Sequence, residues 1–108
     1  MEDHREKIKK IITSKPVTIF MKGTPAAPQC GFSAQTVRAL QSIGVTEDKM
    51  THFDVLSDPN IRQGIKDYTQ WPTIPQVFIN GEFIGGCDIV TEMALDGTLQ
   101  QKLKEKEL

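Results

Sequence analysis

Ile8, Ile11 and Ile12 recur at helical spacing with charged residues between them. That pattern predicts an amphipathic first helix. Asp3 is a candidate cap for it, and Lys15-Pro16 stops it, because proline removes a donor and restricts its predecessor. Val17-Thr18-Ile19-Phe20-Met21 is short, apolar and β-branched, the pattern of a strand buried on both faces. Gly23 to Gln29 is a loop stiffened by two prolines. Ala34, Val37, Leu40 and Ile43 then step by three, and Gly44 stands where a helix would stop. Thr51 to Val55 predicts a second strand. Asp58-Pro59 opens a further helix, with aspartate as the N-cap and proline in the first turn. Ile61, Ile65 and Tyr68 are its apolar side.

Gln76 to Ile79 and Glu82 to Ile84 flank Asn80-Gly81, a strong hairpin signal. Gly85-Gly86-Cys87-Asp88 leads into a helix carrying Ile89, Val90 and Met93, which Gly97 ends. Thr98-Leu99-Gln100-Gln101 resembles a capping box before a last helix. Its Lys/Glu tail, Lys102 to Glu107, is a solvated face. The order is α-β-α-β-α-β-β-α-α. A βαβ half followed by a ββα half implies one α/β domain over residues 1–108, a mixed sheet with helices on both faces.

Composition narrows the function. A chain of 108 residues suffices for one domain with its own core. A net charge of −1 gives no overall field for nucleic acid or an anionic membrane. No run approaches the ~18 apolar residues of a membrane helix. The start, Met1-Glu2-Asp3-His4, lacks the apolar core of a secretory signal. Two cysteines without such a signal point to a reducing compartment. That means a bacterial cytosolic protein, or an organelle protein without its presequence. His4 and His52 have no zinc spacing to each other or to the cysteines.

The chemistry starts at Cys30, in Cys30-Gly31-Phe32-Ser33. A strand, a proline-containing loop and a cysteine opening a helix make a thiolate-favouring arrangement, because helix N-termini carry partial positive charge. Lys22, at the end of the preceding strand, is a second positive charge. Ser33 stands where a Cys-x-x-Cys redox pair keeps its resolving thiol, so Cys30 has no local resolver. Two further segments should meet Cys30 at one sheet edge, since ligand sites in open α/β sheets gather at strand carboxyl ends. One is Ile74-Pro75, a candidate cis peptide before a buried strand. The other is Gly85-Gly86-Cys87-Asp88, whose glycines allow close backbone approach and whose helix start attracts anions.

Four motifs in this order resemble the monothiol glutaredoxins of the CGFS type: Met21-Lys22-Gly23-Thr24, Cys30-Gly31-Phe32-Ser33, Trp71-Pro72-Thr73-Ile74-Pro75-Gln76 and Gly85-Gly86-Cys87-Asp88. The stretch Arg62 to Tyr68 is similar to the single-domain members of mitochondria and related bacteria. The resemblance implies a thioredoxin-like (glutaredoxin) fold with a four-stranded mixed sheet and Pro75 in cis. It implies a glutathione site and a 2Fe-2S cluster shared between two protomers, each giving Cys30 and one glutathione thiolate. Lys22 and Arg62 would hold a glutathione carboxylate, by charge-assisted bonds and the planar guanidinium fork. Ile74, beside Pro75, would offer its backbone to the peptide while its side chain packs in the core. The Cys87 N–H would meet the other carboxylate. Asp88 is either an N-cap or an acceptor for the γ-glutamyl amine. Trp71 is packing or rim.

Two functions fit these residues. One is an iron–sulfur carrier, since thiolates are the natural ligands of such clusters. Its partners would be a second protomer and iron–sulfur apoproteins, and a BolA-like protein in place of one protomer is a further partner the family allows. The other is a glutathione-dependent oxidoreductase acting on protein–glutathione mixed disulfides through Cys30 alone. The family pairs this motif and its longer preceding loop with weak reductase activity.

Overall fold

A computed structural model describes residues 4–105. Its centre is β1 (Val17–Met21), in which every residue is buried. β1 pairs in parallel with β4 (Met50–Asp54) and antiparallel with β5 (Gln76–Ile79), which pairs antiparallel with β6 (Glu82–Gly85). The order β4-β1-β5-β6 makes one mixed, four-stranded sheet. Strand side chains alternate between faces, and β1 divides accordingly. Val17, Ile19 and Met21 join Val37, Leu40, Val77, Ile79, Val90 and Leu99 in one core. Phe20 joins Ile8, Ile12, Ile61, Ile65, Ile74 and Phe78 in the other.

The helices supply the covers. α1 (His4–Ile12) and α3 (Pro59–Thr69) pack on the Phe20 face; α2 (Gly31–Ser42), α4 (Cys87–Asp96) and α5 (Thr98–Glu105) pack on the other. The glutaredoxin fold with helices on both faces is therefore present as expected. The cap proposed at Asp3 lies outside the described residues, as do the last residues of the Lys/Glu tail. In α3, Gly64 lets α1 come close. A Cβ there would stand 3.4 Å from the His4 Cβ and 3.5 Å from the Ile8 Cδ1. Asp58 caps α3 as its sequence predicts, accepting from the Asn60 and Ile61 N–H groups at 3.0 and 3.2 Å. Gly44, at φ +89°, closes α2 in a Schellman arrangement: Gly44 N–H meets the Gln41 carbonyl and Val45 N–H the Leu40 carbonyl.

Several expectations need correcting. The Gly23–Gln29 loop contains a miniature hairpin, β2 (Gly23–Thr24) with β3 (Ala27–Pro28). Strands this short carry no periodic signal. The second main strand runs one residue earlier than expected, and a 3₁₀ turn at Glu47–Lys49 precedes it. Tyr68 and Ile89 are exposed, whereas Ser33 and Thr36 on α2 are fully buried. No capping box forms at Thr98. The Gln101 N–H, which such a box would direct to the Thr98 hydroxyl, meets the Gly97 carbonyl, and the Thr98 N–H and hydroxyl both donate to Asp96 Oδ1, at 2.9 and 2.6 Å.

Ile8 is fully buried between α1, α3 and the sheet. Ile8→Ala removes that packing without disturbing the opposite core. It should cost about 2–5 kcal/mol, the usual range for a buried isoleucine. Urea unfolding checks it, and a loss under about 1 kcal/mol would mean that α1 is docked by other contacts.

Candidate functional site

The site begins where β1 ends. Cys30 is the N-cap of α2, with extended backbone (φ −153°, ψ 153°), and its Sγ accepts from the Ser33 N–H at 3.3 Å. Oxygen side chains usually fill that role; here sulfur does. The Ser33 hydroxyl lies 3.3 Å from Sγ and accepts from the Lys22 backbone N–H at 3.1 Å. A thiol at Cys30 donates to that oxygen. Once the thiol ionises, the hydroxyl turns its own proton toward the sulfur, because Lys22 N–H already occupies one of its lone pairs.

The balance of forces on Cys30 follows. Partial burial pushes the thiol up. The Ser33 hydroxyl, the Ser33 and Phe32 N–H groups and, least of all, the charge of Lys22 pull it down, and the net result lies below the ordinary thiol value. Lys22 thus contributes less to activation than its place in the sequence suggests. Ser33 is not merely an absent resolver; its hydroxyl and its N–H both lie 3.3 Å from the sulfur and favour the thiolate. The sequence signal for that was available in principle, since position N3 of a helix faces its cap.

Beside the cysteine lies a groove of about 580 Å³. Lys22 and Phe32, Arg62 and Lys66 of α3, the Trp71–Pro75 floor, and Gly86 to Ile89 at the start of α4 line it. All six residues expected around a peptide ligand, Lys22, Arg62, Ile74, Pro75, Cys87 and Asp88, line this groove. Cys30 is not itself among the lining residues; it stands two residues before Phe32, which is. The lining residues missed in the sequence are Lys66, Phe32 and Ile89. Lys66 follows Arg62 by four positions, which places both on one helix face. Phe32 and Ile89 are exposed apolar side chains on the rim.

The floor is held by a buried amide. Gln76, with no exposed surface, donates from Nε2 to the Trp71 and Thr73 carbonyls at 3.0 and 3.2 Å. Its Oε1 faces the Thr69 hydroxyl at 2.8 Å. The Ile74–Pro75 peptide is cis. Gly86 admits the start of α4, since a Cβ there would stand 3.3 Å from both the Pro75 carbonyl and the Trp71 Nε1. Trp71 packs edge-on against Phe83, with centroids 5.7 Å apart. The Cys87 thiol is buried and, like Cys30, free; Asp88 is exposed in the first turn of α4.

A family model described as Glutaredoxin matches residues 17–84. Over 101 residues the chain is 50% identical to "Monothiol glutaredoxin-5, mitochondrial" of Saccharomyces cerevisiae, covering 94% of this chain and 67% of the relative. The chain belongs to the monothiol glutaredoxins. Among solved structures, reduced poplar apo GrxS14 superposes on this glutaredoxin with a TM-score of 0.80 at 42% identity, covering 94% of this chain and 90% of that one. A buckwheat glutaredoxin–glutathione complex superposes with a TM-score of 0.80 at 27% identity, covering 94% and 88%.

Removing the stabilisers of the thiolate should raise the Cys30 pKa in a definite order. Ser33→Ala, which deletes a direct hydrogen bond, should raise it more than Lys22→Ala, which deletes a charge at longer range. Because the folded value is lowered, each loss shifts thiolate absorbance and alkylation rate toward higher pH. An unchanged titration in Ser33→Ala would remove the hydroxyl from the activation argument.

Proposed function

We propose that this glutaredoxin binds glutathione in the groove and, with Cys30, holds a 2Fe-2S cluster shared with a second protomer for delivery to apoproteins. The observation that carries the reading is a single activated thiol at the mouth of a cationic groove, with a buried serine in place of a resolving cysteine. Glutathione complements the groove in chemistry. Its glycine carboxylate suits the cations Lys22, Arg62 and Lys66, all of which line the groove. Its γ-glutamyl carboxylate suits the first turn of α4, with the Cys87 N–H as donor and Asp88 as acceptor for the amine. Its backbone suits Ile74, next to Pro75. The volume falls within the usual ~300–1,000 Å³ for small-molecule sites. The buckwheat neighbour's glutathione complex supports the same ligand here.

The donor set explains why the cluster would be shared. No group of three or more His, Cys, Asp or Glu side chains among the described residues is placed to hold a metal ion. Cys30 offers one thiolate, so thiolate ligation of two irons calls for glutathione and for a second chain. Of the chain's own residues, the Ser33 hydroxyl and N–H favour the ionised form of Cys30, and the groove residues would hold the glutathione that brings the second thiolate. A BolA-like protein would take the place of the second protomer at the same exposed rim. Of the two expected compartments, the mitochondrial matrix and the bacterial cytoplasm, the yeast relative's mitochondrial name favours the first as far as the organelle. No helix among the described residues is long and apolar enough to cross a membrane.

The lowered thiol also supports a second reading. The Cys30 thiolate can attack the glutathionyl sulfur of a protein mixed disulfide and release the protein thiol. A second glutathione thiolate then attacks the Cys30–glutathione disulfide and releases glutathione disulfide. The buried Ser33 gives that cycle no intramolecular resolution, so turnover should be slow. A rate comparable to a dithiol glutaredoxin run in parallel would favour this reading over the carrier.

Anaerobic reconstitution with iron, sulfide and glutathione should give a coloured dimer containing two glutathiones per cluster. Visible absorption and sizing check it. Colour surviving in Cys30→Ser, or forming equally well without any small thiol, would defeat the proposal.

Lys22→Ala and Arg62→Ala should each weaken glutathione binding by roughly 1–3 kcal/mol, the usual worth of a charged hydrogen bond. Calorimetry measures it. Wild-type affinity in both variants would place the carboxylate elsewhere.

A further inference from the structure

We infer that Asp54 is a positioning residue for this site: its carboxylate fixes the Lys22–Gly23 turn and thereby sets where Lys22 and Cys30 stand. The inference deepens the glutathione reading and rests on it. Asp54 does not line the groove, and no ligand contact is claimed for it.

The parallel pairing of β1 and β4 runs from Val17↔Met50 to Met21↔Asp54 and stops. The Val55 N–H still reaches the Met21 carbonyl at 2.9 Å. Beyond that point the chain after β1 turns away into the β2–β3 hairpin, and the buried Gly23 has no strand neighbour on the β4 side. Asp54 Oδ1 supplies the missing acceptor, at 3.0 Å from the Gly23 N–H. The same oxygen accepts from the Leu56 N–H at 2.9 Å, so one carboxylate oxygen joins the loop after β1 to the loop after β4. Leaving a buried N–H without a partner is costly, which makes this anchor hard to replace by local adjustment.

The turn it holds has little freedom of its own. Gly23 sits at φ +86°, and a Cβ there would come within 2.5 Å of the Ala27 carbonyl. Lys22, next to it, is pinned twice: its N–H meets the Ser33 hydroxyl, and its carbonyl accepts from the Gln29 N–H at 2.8 Å. Gln29 precedes Cys30. A path of hydrogen bonds thus runs from Asp54 through Gly23 and Lys22 to both sides of the cysteine. Loosening its far end leaves the Lys22–Gly23 turn held on the Ser33 and Gln29 side only, so Lys22 is less sharply placed in the groove lining.

Charge and anchoring predict opposite results, which makes the test decisive. Asp54 is an anion near a site proposed to bind an anion. Were its charge its role, Asp54→Ala and Asp54→Asn would both bind glutathione more tightly. As an anchor, only an acceptor at Oδ1 matters. Asp54→Ala should then bind glutathione about ten-fold more weakly by calorimetry, while Asp54→Asn, whose amide oxygen still accepts, stays within about two-fold of the parent. Amide exchange followed by NMR should quicken at Gly23 in the alanine variant and stay slow in the asparagine variant. Exchange in the β1–β5 ladder should not change in either, which separates a local release from a general loss of stability. The inference is overturned if both variants bind as the parent does or more tightly. It is equally overturned if both weaken alike, or if Gly23 exchanges no faster in Asp54→Ala. A parent protein that binds no glutathione would refute the proposed function, and Gly23 exchange would still decide the anchor.

Discussion

The backbone N–H of Lys22 donates to a serine hydroxyl eleven residues further along, and the chemistry of this glutaredoxin depends on that bond. It ties the end of the central strand to the first turn of α2. It also occupies one acceptor site of the Ser33 hydroxyl, whose oxygen lies 3.3 Å from the sulfur of Cys30. A buried hydroxyl with both functions used is inexpensive to keep, whereas one left unpaired is not. The serine that removes the resolving thiol therefore also supports the remaining one. Chemistry that needs a long-lived thiolate, shared with another molecule, benefits from both effects.

The groove shows a second constraint: irregular backbone must find partners outside any ladder. The Trp71–Pro75 floor has no sheet neighbour for its carbonyls, and the buried Gln76 amide supplies donors for two of them. The Lys22–Gly23 turn meets the same difficulty and finds Asp54. In both cases a side chain at the end of a strand continues the pairing that the strand has stopped providing. The ligand-facing residues can then vary in direction without the backbone collapsing onto the sheet.

Charge is distributed to match. The cations Lys22, Arg62 and Lys66 all line the groove, and Asp88 stands at the start of α4. Phe32 and Ile89 line it too and are exposed.

Much of this was legible in the residues. The β-branched run at Val17–Met21, the Asn80-Gly81 turn and the Asp58-Pro59 start each rest on local physics, and each appears where local physics puts it. The glutaredoxin fold and the set of groove residues followed from motifs in a fixed order, because those motifs sit at strand ends that one topology brings together. Short or long-range features were not legible. A two-residue hairpin has no period, and the exposure of Ile89 depends on where α4 meets the groove. That Ser33 outweighs Lys22 at the thiol, that Asp96 rather than Thr98 serves the last helix, and that Asp54 reaches Gly23 are matters of a few tenths of a nanometre between residues distant or ambiguous in sequence. The motifs and their order pointed to the family and to the residues that gather at one sheet edge. Only the packed structure decided which atoms hold them in place, because hydrogen bonding depends on distance and direction that no linear pattern encodes.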